Sequence, residues 1–177
     1  MRNLIALILV LLAFAVQAQI TSTFDADVDG WTALNGSVGD PVYFSTGGSP
    51  GGYLRVTDGA PANATYFVAP VKFLGNKTTS YEQFLRFDLQ VSVGTKASAS
   101  TGDIQIIGSS SSLYLNLTTL PATLPSWTSY SLKLDETQNW KFNSIGGAAA
   151  TNQQIKQVLA TITALRINGE YITGPGD

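Results

Sequence analysis

The feature that most restricts the fold of this 177-residue chain is an apolar alternation with a period of two residues. The clearest case is residues 84–93, where apolar side chains fall on one side while Arg86, Asp88 and Gln90 share the other with only Phe84. This alternation indicates a β-strand with one buried face, because successive side chains of a strand point to opposite faces. Weaker versions predict further strands at residues 53–57, 65–69, 103–107, 113–117, 129–134 and 165–168.

Clusters of Gly, Pro, Ser and Thr separate these segments at short intervals, which is typical of a β-sandwich or barrel. One segment departs from the pattern. Thr151 can cap a helix and Gln154, three residues later, can reach back to it. Apolar residues, beginning with Ile155 and Val158, then recur at helical spacing. The sequence therefore predicts one short helix at residues 152–160, lying against the end of a sandwich.

The N-terminus has the layout of a secretory signal, with a basic residue at Arg2 followed by an apolar stretch at 4–16. Val16 and Ala18 occupy the two positions that a signal peptidase reads. A membrane anchor is the alternative, but a bilayer needs about 20 apolar residues and this stretch is shorter. We expect cleavage after Ala18 and secretion of residues 19–177 as a single domain, with no second apolar run behind it.

Two absences narrow the chemistry. The chain has no His and no Cys, which rules out Ser-His and Cys-His catalytic triads, the usual zinc sites and any disulfide. Without Arg2, nine basic residues face twelve acidic ones (10 − 1 = 9), a net charge of about −3. No segment concentrates Lys or Arg, so a nucleic-acid-binding surface is not expected. The lack of His and Cys does not exclude an active site built from carboxylates alone, as in glycoside hydrolases.

Several motifs in consistent order resemble the laminin IV type A (laminin B) domain. The most recognisable is an aromatic strand that ends in Ala-Pro and is followed by a Lys-Phe-Leu-Gly turn. The stretches that carry the resemblance are Phe24 to Trp31, Tyr66 to Asn76, Ser80-Tyr81, Leu85 to Leu89, Val158 to Ala160 and Thr163 to Tyr171. Together they span nearly all of the expected mature chain.

The resemblance implies a jelly-roll-like β-sandwich, similar to carbohydrate-binding and galactose-binding-like modules, with an architectural role outside the cell and no enzymatic activity. The lack of Cys means that the EGF-like repeats that flank such domains in laminins are not present here. Such domains commonly continue into a final strand, whereas this chain stops at residues 174–177. Two interpretations stay open: the last strand is missing, or the sequence is a fragment of a longer product.

Asp25, Asp27 and Asp29 precede Gly30 in a D-x-D-x-D-G pattern that offers hard oxygen ligands for calcium. An EF-hand is rejected because the position of its bidentate Glu holds Gly36. One structural calcium held by the three Asp residues is therefore one hypothesis. The alternative is a polar turn in which the Asp side chains cap backbone amides.

Trp140 follows a polar loop and is the best candidate for an exposed sugar-stacking ring, with Trp31 and Trp127 as further candidates. The alternative for all three is packing in the core or at its rim. Glu136 with Glu170, or Glu170 with Asp88, is the conceivable catalytic pair, although nothing in the sequence brings these carboxylates together. Solvated surface carboxylates are the alternative.

The favoured hypothesis is an exported non-catalytic module that binds or spaces extracellular glycan, matrix or cell-surface protein. A glycan-active enzyme or its carbohydrate-binding part is one alternative, and a purely structural surface protein is the other. Two carboxylates converging in a pocket would favour the enzyme. An aromatic-lined surface without such a pair would favour binding.

Overall fold

The computed structural model describes residues 19–34, 36–59, 64–92 and 100–171. Within these ranges the chain forms eleven strands, one α-helix and three single-turn 3₁₀ helices. The strands are β1 (Thr32–Leu34), β2 (Val42–Phe44), β3 (Tyr53–Arg55), β4 (Tyr66–Val68), β5 (Phe84–Val91), β6 (Ile104–Gly108), β7 (Ser112–Leu115), β8 (Ala122–Thr123), β9 (Thr128–Lys133), β10 (Lys141–Phe142) and β11 (Ile162–Asn168).

Two sheets enclose the core. The larger sheet is antiparallel throughout, in the order β1-β4-β11-β6-β7-β10. The smaller sheet has the order β8-β5-β9, in which β5 runs antiparallel to β9 and parallel to β8. The larger sheet contributes Ile106 and Ile167 to the core, and the smaller sheet contributes Tyr130 and Leu132. The strands β2 and β3 form a separate antiparallel hairpin. The expected all-β sandwich with one helix near the C-terminus is confirmed.

The helix α1 (Asn152–Leu159) begins where the capping signal predicts it. The Thr151 hydroxyl accepts a hydrogen bond from the Gln154 amide at 3.3 Å, and the Gln154 side chain accepts one from the Thr151 amide at 2.9 Å. Ile155 and Val158 are completely buried, and the helix packs against β6 and β7. Because an isolated helix of this length is only marginally stable in water, α1 is stabilised mainly by the burial of this face.

All seven predicted strands are present, with ends that differ by at most three residues within the described ranges. The pattern missed four strands, β1, β2, β8 and β10, each only two or three residues long.

The predicted signal segment, residues 1–18, lies outside the described residues. In the part of the chain that is described, no helix is long and apolar enough to cross a membrane.

A buried polar cluster joins the end of β11 to the start of β6. The completely buried Asn168 donates from its backbone to the Asp103 carbonyl at 2.7 Å. Its side-chain amide donates to the Glu170 carbonyl at 2.8 Å and to the Asp103 carboxylate at 3.3 Å, while its oxygen accepts from the Glu170 amide at 3.0 Å. The Asp103 carboxylate also accepts from the Leu117 amide at 2.8 Å. One side chain therefore satisfies several groups that are removed from water.

Candidate functional site

An open cleft of about 2170 Å³ lies beside β5, between the two sheets. Phe67, Leu165 and Ile167 from the inner face of the larger sheet form one wall, and β5 forms the opposite wall. Residues 19–25 and residues 49–57, which include β3, border the cleft. The site is therefore built from segments that are far apart in the sequence.

Both faces of β5 line this cleft. The register with β9 places Leu85 opposite Leu132 and Phe87 opposite Tyr130, so these apolar side chains point inward, as the alternation predicts. Although they pack against the core, Leu85 and Phe87 are only half-buried. Arg86 points to the other face of the strand. Their half-burial shows that the larger sheet does not fully cover the inner face of β5, where the cleft opens.

The cleft carries two stacked arginines. The Arg86 guanidinium lies 4.5 Å from the centre of the Phe84 ring, and the Arg55 guanidinium lies 4.7 Å from the centre of the Phe44 ring. Phe84 is 43% exposed, which agrees with its predicted place on the solvent side of β5. A guanidinium held over an aromatic face keeps its charge and loses some freedom before it meets a ligand.

Trp140, the favoured sugar platform, is completely buried, so the expected exposure is wrong. Its indole N–H donates to the Lys133 carbonyl at 2.8 Å. The reason lies in the preceding turn, where the Asp135 side chain caps a 3₁₀ helix (Glu136–Gln138). Asn139 then adopts a left-handed conformation with φ of 61°, which ends the turn and directs the next residue into the core. A ring in this position cannot stack on a sugar.

The other two tryptophans line the cleft, but neighbouring side chains pack against their rings. The Trp31 ring packs against Phe73, with centroids 5.8 Å apart, and its indole N–H donates to Ser22 at 2.8 Å. The Trp127 ring stands edge-on to Tyr53 at 5.5 Å. Both side chains are half-buried and take part in rim packing, the alternative considered above.

The acidic turn is held by its own hydrogen bonds and by a lysine. The Asp27 carboxylate accepts from the Asp29 amide at 2.6 Å, and Asp25 accepts from the Thr23 hydroxyl at 2.6 Å. The Lys72 ammonium pairs with the Asp29 carboxylate, and this hydrogen bond holds the pKa of Asp29 below its usual value. Over the described residues, no group of three acidic side chains lies close enough to share a metal ion. The arrangement favours the polar turn over the calcium site.

The calcium hypothesis has a direct test. Because Lys72 already neutralises Asp29, we expect the melting temperature of the protein to be the same with added calcium and with chelator. Lys72→Gln is the informative variant, since it frees Asp29 for a cation. A rise in melting temperature with calcium that disappears in the triple variant Asp25→Asn, Asp27→Asn and Asp29→Asn would instead establish the metal site.

The structure places the two glutamates considered for catalysis outside the cleft. The Tyr81 hydroxyl donates to the Glu136 carboxylate at 2.6 Å, and this hydrogen bond lowers the pKa of Glu136. The Glu170 carboxylate accepts from the Thr65 amide at 2.9 Å. Of the carboxylates proposed for catalysis, only Asp88 lines the cleft.

From the Tyr81–Glu136 hydrogen bond we predict that the stability of the fold depends on pH in the alkaline range. The hydrogen bond to Glu136 raises the pKa of Tyr81 to about 12 from a usual value of 10.0. A raised pKa in the folded state contributes stability below pH 10.0, and this contribution is lost as pH rises through about 12. In a titration of tyrosinate absorbance, Glu136→Gln should move one late transition towards 10.0, whereas Glu82→Gln, which removes only a smaller charge effect on Tyr81, should move it much less. Equal behaviour of the two variants would contradict the pairing.

Comparison with known proteins identifies the family. The family model for laminin B (domain IV) matches residues 66–177. Human laminin subunit gamma-2 is 34% identical over 163 residues, which cover 88% of this chain and 13% of that protein. Laminin subunit gamma-1 from Xenopus tropicalis is 27% identical over 164 residues, covering 87% of this chain and 9% of that protein. The chain thus spans only about an eighth of the length of the first of these relatives.

A solved structure shares the fold. The L4b domain of human laminin alpha-2 matches with a TM-score of 0.61 and 14% sequence identity, and the match covers 91% of each chain. At that identity the likeness shows the sandwich architecture alone. The sequence relatives and the family model go further, and with the β-sandwich described above they place this chain in the laminin B (domain IV) family.

Proposed function

We propose that this chain is an exported, non-catalytic laminin IV module that binds extracellular matrix material, glycan or protein, in the cleft beside β5. The observation that carries the proposal is the cleft itself, an opening of about 2170 Å³ between sheets that would otherwise close on a packed core. Concave, largely apolar sites with a few placed polar groups are where ligands bind. Membership in a family named for matrix proteins supplies the class of ligand.

The polar groups of the cleft support binding over catalysis. Arg55 and Arg86 offer oriented charge, and the rings of Phe84 and Phe87 offer apolar surface. A glycoside hydrolase needs two carboxyl groups about 5–9 Å apart on either side of one bond. Glu136 and Glu170 are engaged elsewhere, as described above. The export expected from the N-terminal segment agrees with a role outside the cell.

An array of glycans and purified matrix proteins tests the proposal, run with the purified protein in calcium and in chelator. We expect at least one ligand to bind, and the double variant Arg55→Glu and Arg86→Glu to bind it at least about tenfold more weakly, because two cations of the cleft are reversed. Lys141→Glu, a charge reversal at a residue outside the cleft lining, is the matched control.

The same experiment distinguishes the two alternative functions, an enzyme and a purely structural protein. Release of smaller sugars from an arrayed glycan would favour the enzyme and would point to Asp88. Binding to no glycan and no matrix protein would leave the purely structural role and contradict the proposal. Binding that both charge-reversal variants retain would place the site away from the cleft.

A further inference from the structure

Asn76 begins the tripeptide Asn-Lys-Thr, which fits the pattern at which the secretory pathway of eukaryotes attaches N-linked glycans. The same pattern occurs at Asn35, Asn63 and Asn116. Because so short a pattern also arises by chance, the surroundings of each Asn decide whether it is a suitable acceptor. Asn35 and Asn63 lie outside the described residues, which leaves Asn76 and Asn116.

The Asn76 tripeptide stands clear of the core. Asn76 and Thr78 are exposed, and Lys77 between them is half-buried. Asn116 is exposed as well, but Leu117, the next residue, is buried, and its amide donates a hydrogen bond into the buried polar cluster described above. An N-linked glycan is bulky and hydrophilic and needs a surface position. The fold therefore favours Asn76 as the acceptor.

The backbone on either side of Asn76 is held in place. Gly75 and Ile162 exchange two backbone hydrogen bonds, at 2.8 and 3.0 Å. On the other side, the Lys77 amide donates to the Leu159 carbonyl at 2.7 Å. These bonds tie the loop to the end of α1 and to the start of β11. Asn76 therefore has a fixed position at the rim of the cleft, whose lining includes it.

The side chain of Asn76 leaves its nitrogen free for substitution. Oδ1 accepts hydrogen bonds from the Thr78 amide at 3.0 Å and from the Thr78 hydroxyl at 2.9 Å. Within the described part of the chain, Nδ2 makes no hydrogen bond. An N-linked glycan replaces a hydrogen of Nδ2 and leaves the carbonyl oxygen unchanged. Both bonds to Thr78 are therefore retained, and the fold carries the glycan without losing a contact.

We propose that Asn76 carries an N-linked glycan in the exported protein. In the transfer, Nδ2 of Asn76 forms a bond to C1 of the first sugar of an oligosaccharide that is linked to a lipid pyrophosphate. The bond between C1 and the pyrophosphate oxygen breaks, the lipid pyrophosphate leaves with that electron pair, and Nδ2 gives up a proton. A transferase of the secretory pathway catalyses this step. The inference rests on the export in the proposed function, and the matched relatives come from animals, which have this pathway.

Expression of the full chain, with residues 1–18 in place, in cultured animal cells tests the proposal. Protein from the medium and from the cells is treated with an N-glycosidase, which converts a glycosylated Asn to Asp. The treatment is done in water enriched in heavy oxygen, so that ordinary deamidation is not counted, and mass spectrometry of peptides identifies each converted residue. We expect conversion at Asn76 in most of the secreted protein. Asn152, an exposed Asn outside any such tripeptide, is the matched control and should not be converted.

Two substitutions of Thr78 provide the second arm. Thr78→Val keeps the shape of the side chain but removes the hydroxyl that the acceptor pattern requires, so it should abolish the glycan at Asn76. Thr78→Ser keeps a hydroxyl and should retain the glycan. The measurement on the wild-type protein needs no variant, so the test does not depend on either variant folding.

The outcomes separate this inference from the proposed function. Secreted protein with unmodified Asn76 overturns the glycosylation and leaves the proposed export and binding standing. Protein that stays in the cytosol with residues 1–18 attached overturns both the export and the glycosylation. Conversion of Asn76 that persists in Thr78→Val contradicts N-linked transfer at this tripeptide. Conversion in the wild-type protein and in Thr78→Ser, with none in Thr78→Val, supports the proposal.

Discussion

Replacing Trp140 with alanine is expected to lower the free energy of unfolding by about 3–5 kcal/mol, the usual cost of removing a large core aromatic residue. The ring is completely buried, and its N–H is bonded to the Lys133 carbonyl. The truncation therefore leaves both a cavity and an unsatisfied acceptor. For a domain of this size the melting temperature should fall by roughly 10 °C. Thermal and denaturant unfolding followed by circular dichroism measure both quantities.

Two variants separate packing from a general effect of losing a tryptophan. Trp140→Phe keeps most of the ring volume and should cost clearly less than Trp140→Ala. Trp127→Ala removes a half-buried indole at the rim and should cost about 1 kcal/mol. If Trp140→Ala unfolded at the same temperature as the wild-type protein, the side chain would not be in the core, and its assignment as an exposed sugar platform would return.

Replacing Asn168 with alanine is expected to cost about 3 kcal/mol, although the side chain is polar. The amide serves the Glu170 carbonyl, the Glu170 amide and the Asp103 carboxylate at once. Removing one partner of a buried hydrogen bond costs about 1–3 kcal/mol when the other group is left unsatisfied, and Asn168 makes several such bonds. Thr163→Ala on the same strand is the matched control, since its exposed hydroxyl donates a single bond to the Ile107 carbonyl. That variant should stay within about 1 kcal/mol of the wild-type protein.

The variant Asn168→Asp tests the same buried cluster through the pH dependence of its free energy of unfolding. The new carboxylate would lie beside that of Asp103 in a site removed from water, and both effects raise the pKa of a carboxyl group. A raised folded-state pKa contributes stability at low pH and loses it as pH rises. The variant should therefore be most destabilised at neutral pH and recover towards acidic pH, relative to the wild-type protein. Urea unfolding at several pH values would check this, and a deficit independent of pH would contradict the proximity to Asp103.

Local patterns in the sequence predicted the parts of the fold that local forces set. The period-two alternation of β5 identified its inner and outer faces, since burial of one face imposes that period. Thr151 and Gln154 located the start of the helix because the capping box is complete within four residues. The four missed strands contain two or three residues each, too few for any period to be recognised. They are strands because neighbouring strands pair with them.

The candidate site was harder to predict because long-range packing creates it. Asp29 is paired with Lys72, 43 residues away, so the spacing of the three Asp residues suggested ligands that are engaged otherwise. Trp140 follows a polar loop, and only the left-handed Asn139 turns it inward. An Asn at the end of a polar turn was the one signal in the sequence that could have suggested this. The cleft follows from the order of strands in the smaller sheet, which alternation alone does not specify.

The open cleft beside β5 underlies the proposed function, and amide hydrogen exchange of β5 in the unliganded protein tests it most directly. Measured residue by residue, the amides of residues 84–89 should fall into two alternating classes. Those bonded to β9 should exchange slowly, and those facing the cleft should exchange at rates close to those of exposed loops. Slow exchange of all six amides would mean that the edge is covered, and it would contradict the account.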